Sequence, residues 1–356
     1  MQKLTKEYGS EFDWESNNEY INSFYNHRIF QEADYFRSGR DALRAIALRY
    51  KGCYKQILIP ALCCESMVNP FEINGYEVSF YRLNPDLSAD FEDILSKIQS
   101  EAIFLYINYF GITSMDNEKL CYIKKQFENS ILIEDRTHDI LVGRDNGYVP
   151  NYTICSIRKW IAIPDGGLLF STNQEIFKKE MNTYFGDVRT CALKNKSEYL
   201  RTGNVQIKLK FRNELDDANN YLNASEIVAD ISKKSYEILQ YIDFEKIYQQ
   251  RKINALLLYK HIENIDEAEN ISSTTENSTL YHPILVDNRD KVQKKLAKKD
   301  IYCPVIWPLP KQAVGVCKVS EYISNHMLAI PCDHRYRKSD IECICNILDE
   351  ILEKKI

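Results

Sequence analysis

No stretch of this 356-residue chain approaches the ~20 consecutive apolar residues that a membrane helix needs. The start, Met1 to Trp14, is polar and charged and lacks the apolar centre of a secretion signal, so none is expected. Excess basic charge is missing as well. The 46 Lys and Arg residues stand against 51 Asp and Glu, for a net charge of −5 without a basic stripe. That balance argues against nucleic acid as a partner. The eleven cysteines are odd in number and scattered, and only Cys63–Cys64 and Cys343/Cys345 lie close together. Neither pair has zinc-ligand spacing, so the thiols are expected to be reduced and buried, with no metal site. The expected location is the cytoplasm.

What is present is enough apolar material for a large interior. Apolar residues make up 44% of the chain and aromatics 12%. The length suits about two domains at ~150 residues each. From residue 40 to 172 helical and strand patterns alternate. Asp41–Tyr50 has helical apolar spacing, and Gln56–Leu62 is a short apolar strand. Met67–Ile73 reads as helix, Glu77–Leu83 as strand, Phe91–Ile98 as helix and Ala102–Phe110 as a strongly apolar strand. Asn117–Phe127 is helical, and Ser130–Glu134, Tyr152–Ile157 and Gly167–Thr172 complete the strands. This alternation predicts an α/β fold whose mostly parallel sheet is covered on both faces. Beyond it, the pattern predicts a helix over Gln174–Asn182 and an irregular stretch over Tyr184–Asn213. A long helix is expected over Ser225–Arg251 and a loop over Asn264–Ser278. A strand (Tyr281–Asp287), a helix (Arg289–Lys299), a Pro-punctuated stretch (Cys303–Pro310) and a last helix (Ser339–Lys355) follow. The division expected is a large domain over 1–230, including an N-terminal segment 1–35, and a small C-terminal α/β domain over 231–356.

In a parallel sheet, ligands sit beyond the carboxyl ends of the strands. Two residues with special chemistry fall there. Asp135 ends an apolar strand as part of Glu134–Asp135–Arg136–Thr137–His138. Lys159 follows another strand in Ser156–Ile157–Arg158–Lys159, six residues ahead of Asp165–Gly166–Gly167. A lysine amine condenses with a carbonyl to make a covalent catalyst. A carboxylate against a pyridine nitrogen keeps that ring cationic. Ser156, three residues before the lysine, is placed to hold a phosphate, and Arg158 depresses the lysine amine by like-charge repulsion. Two readings stand for Ser38–Gly39–Arg40–Asp41. Ser38 or Asp41 caps a helix, or the free N–H groups at its start bind a phosphate ester. Taken together these residues point to pyridoxal phosphate (PLP) as a cofactor.

The same residues resemble the DegT/DnrJ/StrS sugar aminotransferases, a branch of the fold-type-I PLP transferases. Ser38–Gly39–Arg40–Asp41–Ala42–Leu43 matches the family's Ser-Gly-Thr-Asp-Ala-Leu. Ile57–Leu58–Ile59–Pro60–Ala61 and Asn108–Tyr109–Phe110–Gly111 continue the likeness. Asp135 with His138, and Lys159 with Asp165–Gly166–Gly167, are its most specific parts. A weaker likeness runs from Asn223–Ala224–Ser225–Glu226–Ile227 to the C-terminus. The resemblance implies that Lys159 is the catalytic residue that bonds the cofactor and that Asp135 pairs the pyridine nitrogen. It places His138 near the phenolic oxygen, and Gly39, Arg40 and Asp41 on the phosphate turn. Asn223 falls where the family sends a residue across a homodimer interface to the partner's phosphate. The implied reaction moves an amino group from an amino acid, glutamate by family likeness, to a nucleotide-linked keto-sugar. Its setting would be cell-surface polysaccharide or amino-sugar biosynthesis.

Several positions depart from the family pattern. Cys64 stands where an aromatic often stacks on the cofactor, and Arg40 replaces threonine. The family's serine lies five residues before the lysine, where this chain has Ile154, so Ser156 or Cys155 takes that role. Ile306–Trp307–Pro308 stands where many members have a sugar-contacting histidine–tyrosine pair. A flat ring with fewer polar partners suits a deoxy keto-sugar. Tyr184, Arg189, Trp307 and Arg335 are the candidate substrate contacts, chosen because aromatic and guanidinium groups suit bases, sugars and phosphates. The alternatives are a PLP enzyme with another acceptor and a non-catalytic protein that retains the fold. A sugar dehydratase, which carries histidine at the lysine position, is opposed by Lys159.

Overall fold

The computed structural model describes residues 6–22, 32–112, 115–140, 149–173, 175–271 and 279–352. Its centre is a seven-stranded sheet of β1 (Asp34–Phe36), β2 (Gln56–Pro60), β3 (Glu77–Tyr81), β4 (Ala102–Ile107), β5 (Ile131–Asp135), β6 (Tyr152–Cys155) and β7 (Gly167–Ser171). The spatial order is β1-β7-β6-β5-β4-β2-β3. Neighbours from β3 to β6 pair in parallel, and β7 alone runs against the rest, antiparallel to both β6 and β1. Every residue of β2, β4, β5 and β6 is buried. This is why those strands read as unbroken apolar runs: helices cover both faces of a parallel sheet. The crossover helices are α1 (Gly39–Tyr50), α2 (Glu65–Glu72), α3 (Phe91–Lys97) and α4 (Asn117–Gln126). Ser38, Asp90 and Asp116 cap α1, α3 and α4 by accepting a backbone N–H three residues on. All four helices and the strands of this half match the sequence expectation to within a few residues, except β1, which the pattern did not predict.

The middle of the chain departs from expectation. Residues 175–182 contain no helix; they are irregular, with one bridge between Glu180 and Ala229. Phe177 alone turns inward, against Phe36 and Tyr152, while Ile176 and Met181 are 92% and 85% exposed. Phe177 and Met181 have the i, i+4 spacing of a helical face, but only Phe177 is buried, and the other two apolar residues stay in solvent. The stretch expected to be irregular is instead a hairpin of two long helices, α5 (Tyr184–Thr202) and α6 (Val205–Ala224). Gly203, with φ of 68°, ends α5, and Asn204 caps α6. The hairpin closes through thin seams: Phe185 on Ala218 and Leu222, and Ala192 with Tyr199 on Phe211. So sparse an apolar stripe inside polar helices hides the period. The long helix expected next is broken. Residues 225–232 are irregular, Ser232 caps α7 (Lys233–Leu239), and Asp243 caps α8 (Phe244–Ile262).

The C-terminal part builds an antiparallel sheet of β8 (Ala268–Asn270), β9 (His282–Val286) and β10 (Met327–Ile330), in the order β10-β9-β8. Helices α9 (Arg289–Ala297), α10 (Lys318–His326) and α11 (Lys338–Ile351) accompany it. Leu258 of α8, Ile284, Leu328 and Ile344 share a core separate from that of the large sheet. Part of the loop expected over Asn264–Ser278 is β8; residues 272–278 lie outside the described residues. Among the described residues no helix is long and apolar enough to cross a membrane.

Candidate active site

The site begins at the turn into α1. Asp41 is fully buried and receives two bonds from Arg37, Nε at 2.9 Å and Nη2 at 2.7 Å, with Ser38 Oγ donating at 2.6 Å. Ser38 Oγ in turn accepts the Asp41 N–H at 3.1 Å, so the cap and the ion pair lock the same turn. The capping reading is what the structure shows: Asp41 and Ser38 hold the helix start, and Gly39 faces the lysine loop. A Cβ on Gly39 would lie 3.6 Å from the Ser156 Cβ. On the other side, a Cβ on Gly167 would lie 2.2 Å from the Ser38 carbonyl carbon, so only glycine allows β7 to approach the turn. The Gly166 N–H completes the contact by donating to the Arg37 carbonyl at 2.8 Å. Arg40 reaches away from the turn to the Leu222 carbonyl (3.0 Å) and to Asn223 Oδ1 (2.9 Å). Asn223 thus sits on Arg40 of its own chain. Cys64 begins α2 and accepts a bond from Ser66 Oγ at 3.1 Å. It lies near enough to Lys159 and Arg40 to act on both electrostatically.

The ends of β5 and β6 carry the reactive groups. Asp135, the last residue of β5, is 2% exposed and accepts the Thr137 N–H at 2.7 Å. Burial raises its pKa, opposed by Thr137 and by the Lys159 charge. Thr137 is a structural hub that the sequence reading passed over. Its Oγ1 accepts the Ser156 N–H at 3.1 Å, and its carbonyl accepts Trp160 Nε1 at 2.7 Å, tying the β5 loop to the lysine turn. That turn, Ile157–Lys159, is one turn of 3₁₀ helix. Burial lowers the Lys159 pKa and the neighbouring Arg158 adds to the effect, while Cys64, Asp135 and Cys155 oppose it. Among the described residues the Lys159 amine has no hydrogen-bond acceptor. His138 is 1% exposed, its ring 4.7 Å from Phe110 and stacked 5.0 Å from Trp307. Among the described residues neither ring nitrogen has a hydrogen-bond partner, and burial and then the Lys159 charge push its pKa well below the ordinary value.

Lys159 and His138 open onto a cavity of about 310 Å³, whose other walls include Arg158, Trp307, Glu11 and Arg335. Trp307 faces the site with its ring against His138. The Arg335 guanidinium is taken by both oxygens of Asp333, at 2.8 Å each, and lies 4.4 Å over the Phe12 ring. Arg189, on α5, donates to the Pro164 carbonyl at 2.6 Å and pairs with Glu11 at 3.1 Å. Tyr184, at the start of α5, is 49% exposed and packs on Tyr221; it is not on the cavity wall. The N-terminal segment, which sequence reasoning did not connect to the site, supplies Gly9 to Phe12. Burial alone would raise the Glu11 carboxyl, but Arg189, Arg158 and Lys196 bring it down to about 2. No motif signals this; the segment reaches the cavity only through tertiary contacts such as Trp14 N–H to the Leu193 carbonyl at 3.1 Å.

These residues fit a phosphate-bearing pyridine aldehyde. The unpartnered imidazole, the free amine and the carboxylate at the end of β5 are complementary to its polar groups. The glycine-lined turn against Ser156 is complementary to its phosphate. Gly39 and Arg40, through their backbone N–H groups at the start of α1, and Ser156 would hold the phosphate, Asp135 the ring nitrogen and His138 a ring oxygen. Bound there, such a group supplies an electrophilic carbon and a sink for electrons. The protein's part would be to present a neutral amine at Lys159, which burial and Arg158 favour, and to keep the Asp135 carboxylate beside the ring. Among the described residues no cluster of His, Cys, Asp and Glu is placed to hold a metal ion.

No curated protein matches the chain. Solved structures do share its fold. A putative sugar aminotransferase, Spr1654 of Streptococcus pneumoniae in its PLP form, superposes with a TM-score of 0.67 at 13% identity, covering 99% of this chain and 100% of its own. PseC of Helicobacter pylori, an aminotransferase of pseudoaminic acid biosynthesis, gives 0.65 at 12% identity, over 98% of this chain and 99% of its own. A DegT/DnrJ/EryC1/StrS aminotransferase of Brucella abortus gives 0.61 at 16% identity, over 93% and 87%. At these identities the likeness speaks for the fold, a fold-type-I transferase. The sequence profile of one family spans residues 22–349. The chain belongs to the DegT/DnrJ/EryC1/StrS aminotransferase family.

Proposed function

We propose that the protein is a cytoplasmic, homodimeric aminotransferase that binds PLP, the cofactor of its family, through Lys159. It moves an amino group from an amino acid, with glutamate the expected donor, to a nucleotide-linked keto-sugar in amino-sugar or cell-surface polysaccharide biosynthesis. The large domain over 1–230 carries the cofactor and the domain over 231–356 closes the cavity through Trp307. The observation that carries this reading is the meeting of an unpartnered amine and an unpartnered buried imidazole on one cavity, at the carboxyl ends of adjacent parallel strands. With the cofactor bound, Lys159 would hold its aldehyde carbon and its amine would move a proton to and from the donor carbon. Asp135 would hold the cofactor's ring nitrogen and favour its charged form.

Trp307 bears on the acceptor. Its ring is 8% exposed and one face is occupied by His138, which leaves a flat, weakly polar wall. A hydroxyl buried there without a partner costs about 1–3 kcal/mol, so a deoxy keto-sugar is favoured over a fully hydroxylated one. The test is a panel of nucleotide-linked keto-sugars added to enzyme already converted by glutamate. Return of the lysine-bound cofactor absorbance should be fastest with deoxy sugars. Equal rates across the panel would refute the pocket argument, and no return with any of them would exclude this acceptor class.

A further inference from the structure

We infer that Arg158 receives the α-carboxylate of the amino donor, an assignment that rests on the aminotransferase reading above. Four cationic side chains line the cavity: Arg158, Lys159, Arg251 and Arg335. Arg335 is spent on Asp333 and on the carbonyls of Ser10 (2.9 Å) and Glu11 (3.2 Å). Arg251 lies on the Trp160 ring and donates to the carbonyls of Leu280 (3.0 Å) and Trp160 (3.3 Å). Arg158 differs. Among the described residues its guanidinium has neither a hydrogen-bond acceptor nor an ion-pair partner, and its Nε is fully buried. The nearby anions are engaged elsewhere: Glu11 pairs with Arg189, and Asp165 accepts Ser232 Oγ at 2.7 Å and a bond from Ser235. The nearby cations, Arg189 and Arg40, repel it. Burial first and Arg189 next lower its pKa to about 10, which leaves it charged at neutral pH.

Arg158 is half-buried with only its Nε fully enclosed, so its charge faces the cavity without a protein acceptor among the described residues, and an anion there would complete it. The group that matches a guanidinium fork is an oxyanion. Two oxyanions would come near: the cofactor phosphate and the donor carboxylate. Position separates them. Arg158 shares its cavity with Lys159, His138 and Trp307, whereas Gly39, Arg40 and Ser156 of the phosphate turn are not among its walls. The donor's amine must also replace the Lys159 amine, and the α-carboxylate is attached to the carbon bearing that amine. The residue next to Lys159, facing the same space, is therefore the one within reach.

The test uses holoenzyme of the wild type, R158Q and R158K, followed by the absorbance of the lysine-bound cofactor. L-glutamate, 4-aminobutyrate, which lacks the α-carboxylate, and glutarate, which lacks the amine, are titrated in turn. R158Q also removes a positive charge beside Lys159, which acts on both amines alike; beyond that shared change it should raise the half-saturating concentration of glutamate about tenfold or more relative to that of 4-aminobutyrate. Cofactor affinity should stay within about twofold, and R158K should restore part of the glutamate response. Equal effects on both amines would overturn the assignment, as would loss of cofactor affinity with an unchanged donor constant, which would place Arg158 on the phosphate. If the wild type transfers no amino group at all, the aminotransferase reading fails, and glutarate still decides for Arg158. A spectral shift lost in R158Q supports the carboxylate site, and no shift in the wild type refutes it.

Discussion

Asp135 ends the buried strand β5 and Lys159 ends the short turn that follows β6, and their chemical types could be read from the chain because each comes just past an apolar strand. A carboxylate or an amine just past the carboxyl end of a buried parallel strand lies where such sheets bind their ligands. The arginines were less legible. A guanidinium suits a substrate anion and a structural carboxylate equally well, and the sequence does not distinguish the two. The structure gives Arg189 and Arg335 protein partners and, among the described residues, leaves without a hydrogen-bond or ion-pair partner Arg158, which the sequence had suggested only as a neighbour tuning Lys159. Thr137 was invisible because its role lies in three hydrogen bonds to segments nineteen or more residues away or in its own loop. At this scale Asp135→Asn is expected to retain the lysine-bound cofactor while slowing conversion by an amino donor on the order of a hundredfold or more. Stopped-flow absorbance of the donor half-reaction measures it, and near-normal turnover would mean that Asp135 does not face the ring nitrogen.

The elements that carry the site were the most legible ones. Helix α1 and strands β2, β4, β5 and β6 have strong periods or unbroken apolar runs, and their lengths follow directly. The α5–α6 hairpin was not, because its seams rest on a few residues such as Phe185, Ala192 and Phe211 in otherwise polar helices. The break between α6 and α8 is set by the Ser232 and Asp243 caps and by Asp165, whose carboxylate accepts the Ser232 N–H at 3.0 Å from 67 residues away. The turn that would hold phosphate depends on α1, and α1 depends on the Arg37–Asp41 pair, which is wholly buried on both sides. Asp41→Ala removes one partner and strands a buried guanidinium. The expected loss is about 3–5 kcal/mol, read as a shift in the urea midpoint, together with weakened cofactor binding. A loss under about 1 kcal/mol would show that the pair does not hold the turn.

Across the whole molecule, the cavity is an assembly of distant segments. Glu11 and Phe12 come from the N-terminal segment, His138 and Lys159 from the ends of β5 and β6, and Trp307 and Arg335 from the C-terminal part. The N-terminal segment is fixed to both regions, through Trp14 N–H to the Leu193 carbonyl and through Tyr8 N–H to the Asp300 carbonyl at 2.8 Å. Only the strand ends in this assembly were legible locally; which loop closes over them depends on tertiary packing. The central claim is that this assembly exists to present the Lys159 amine to a cofactor aldehyde. It is tested most directly by reconstituting the full chain with PLP, reducing with borohydride and mapping the peptides by mass. The pyridoxyl mass is predicted on the peptide containing Lys159. The same mass on another lysine, or none on any, would contradict the account.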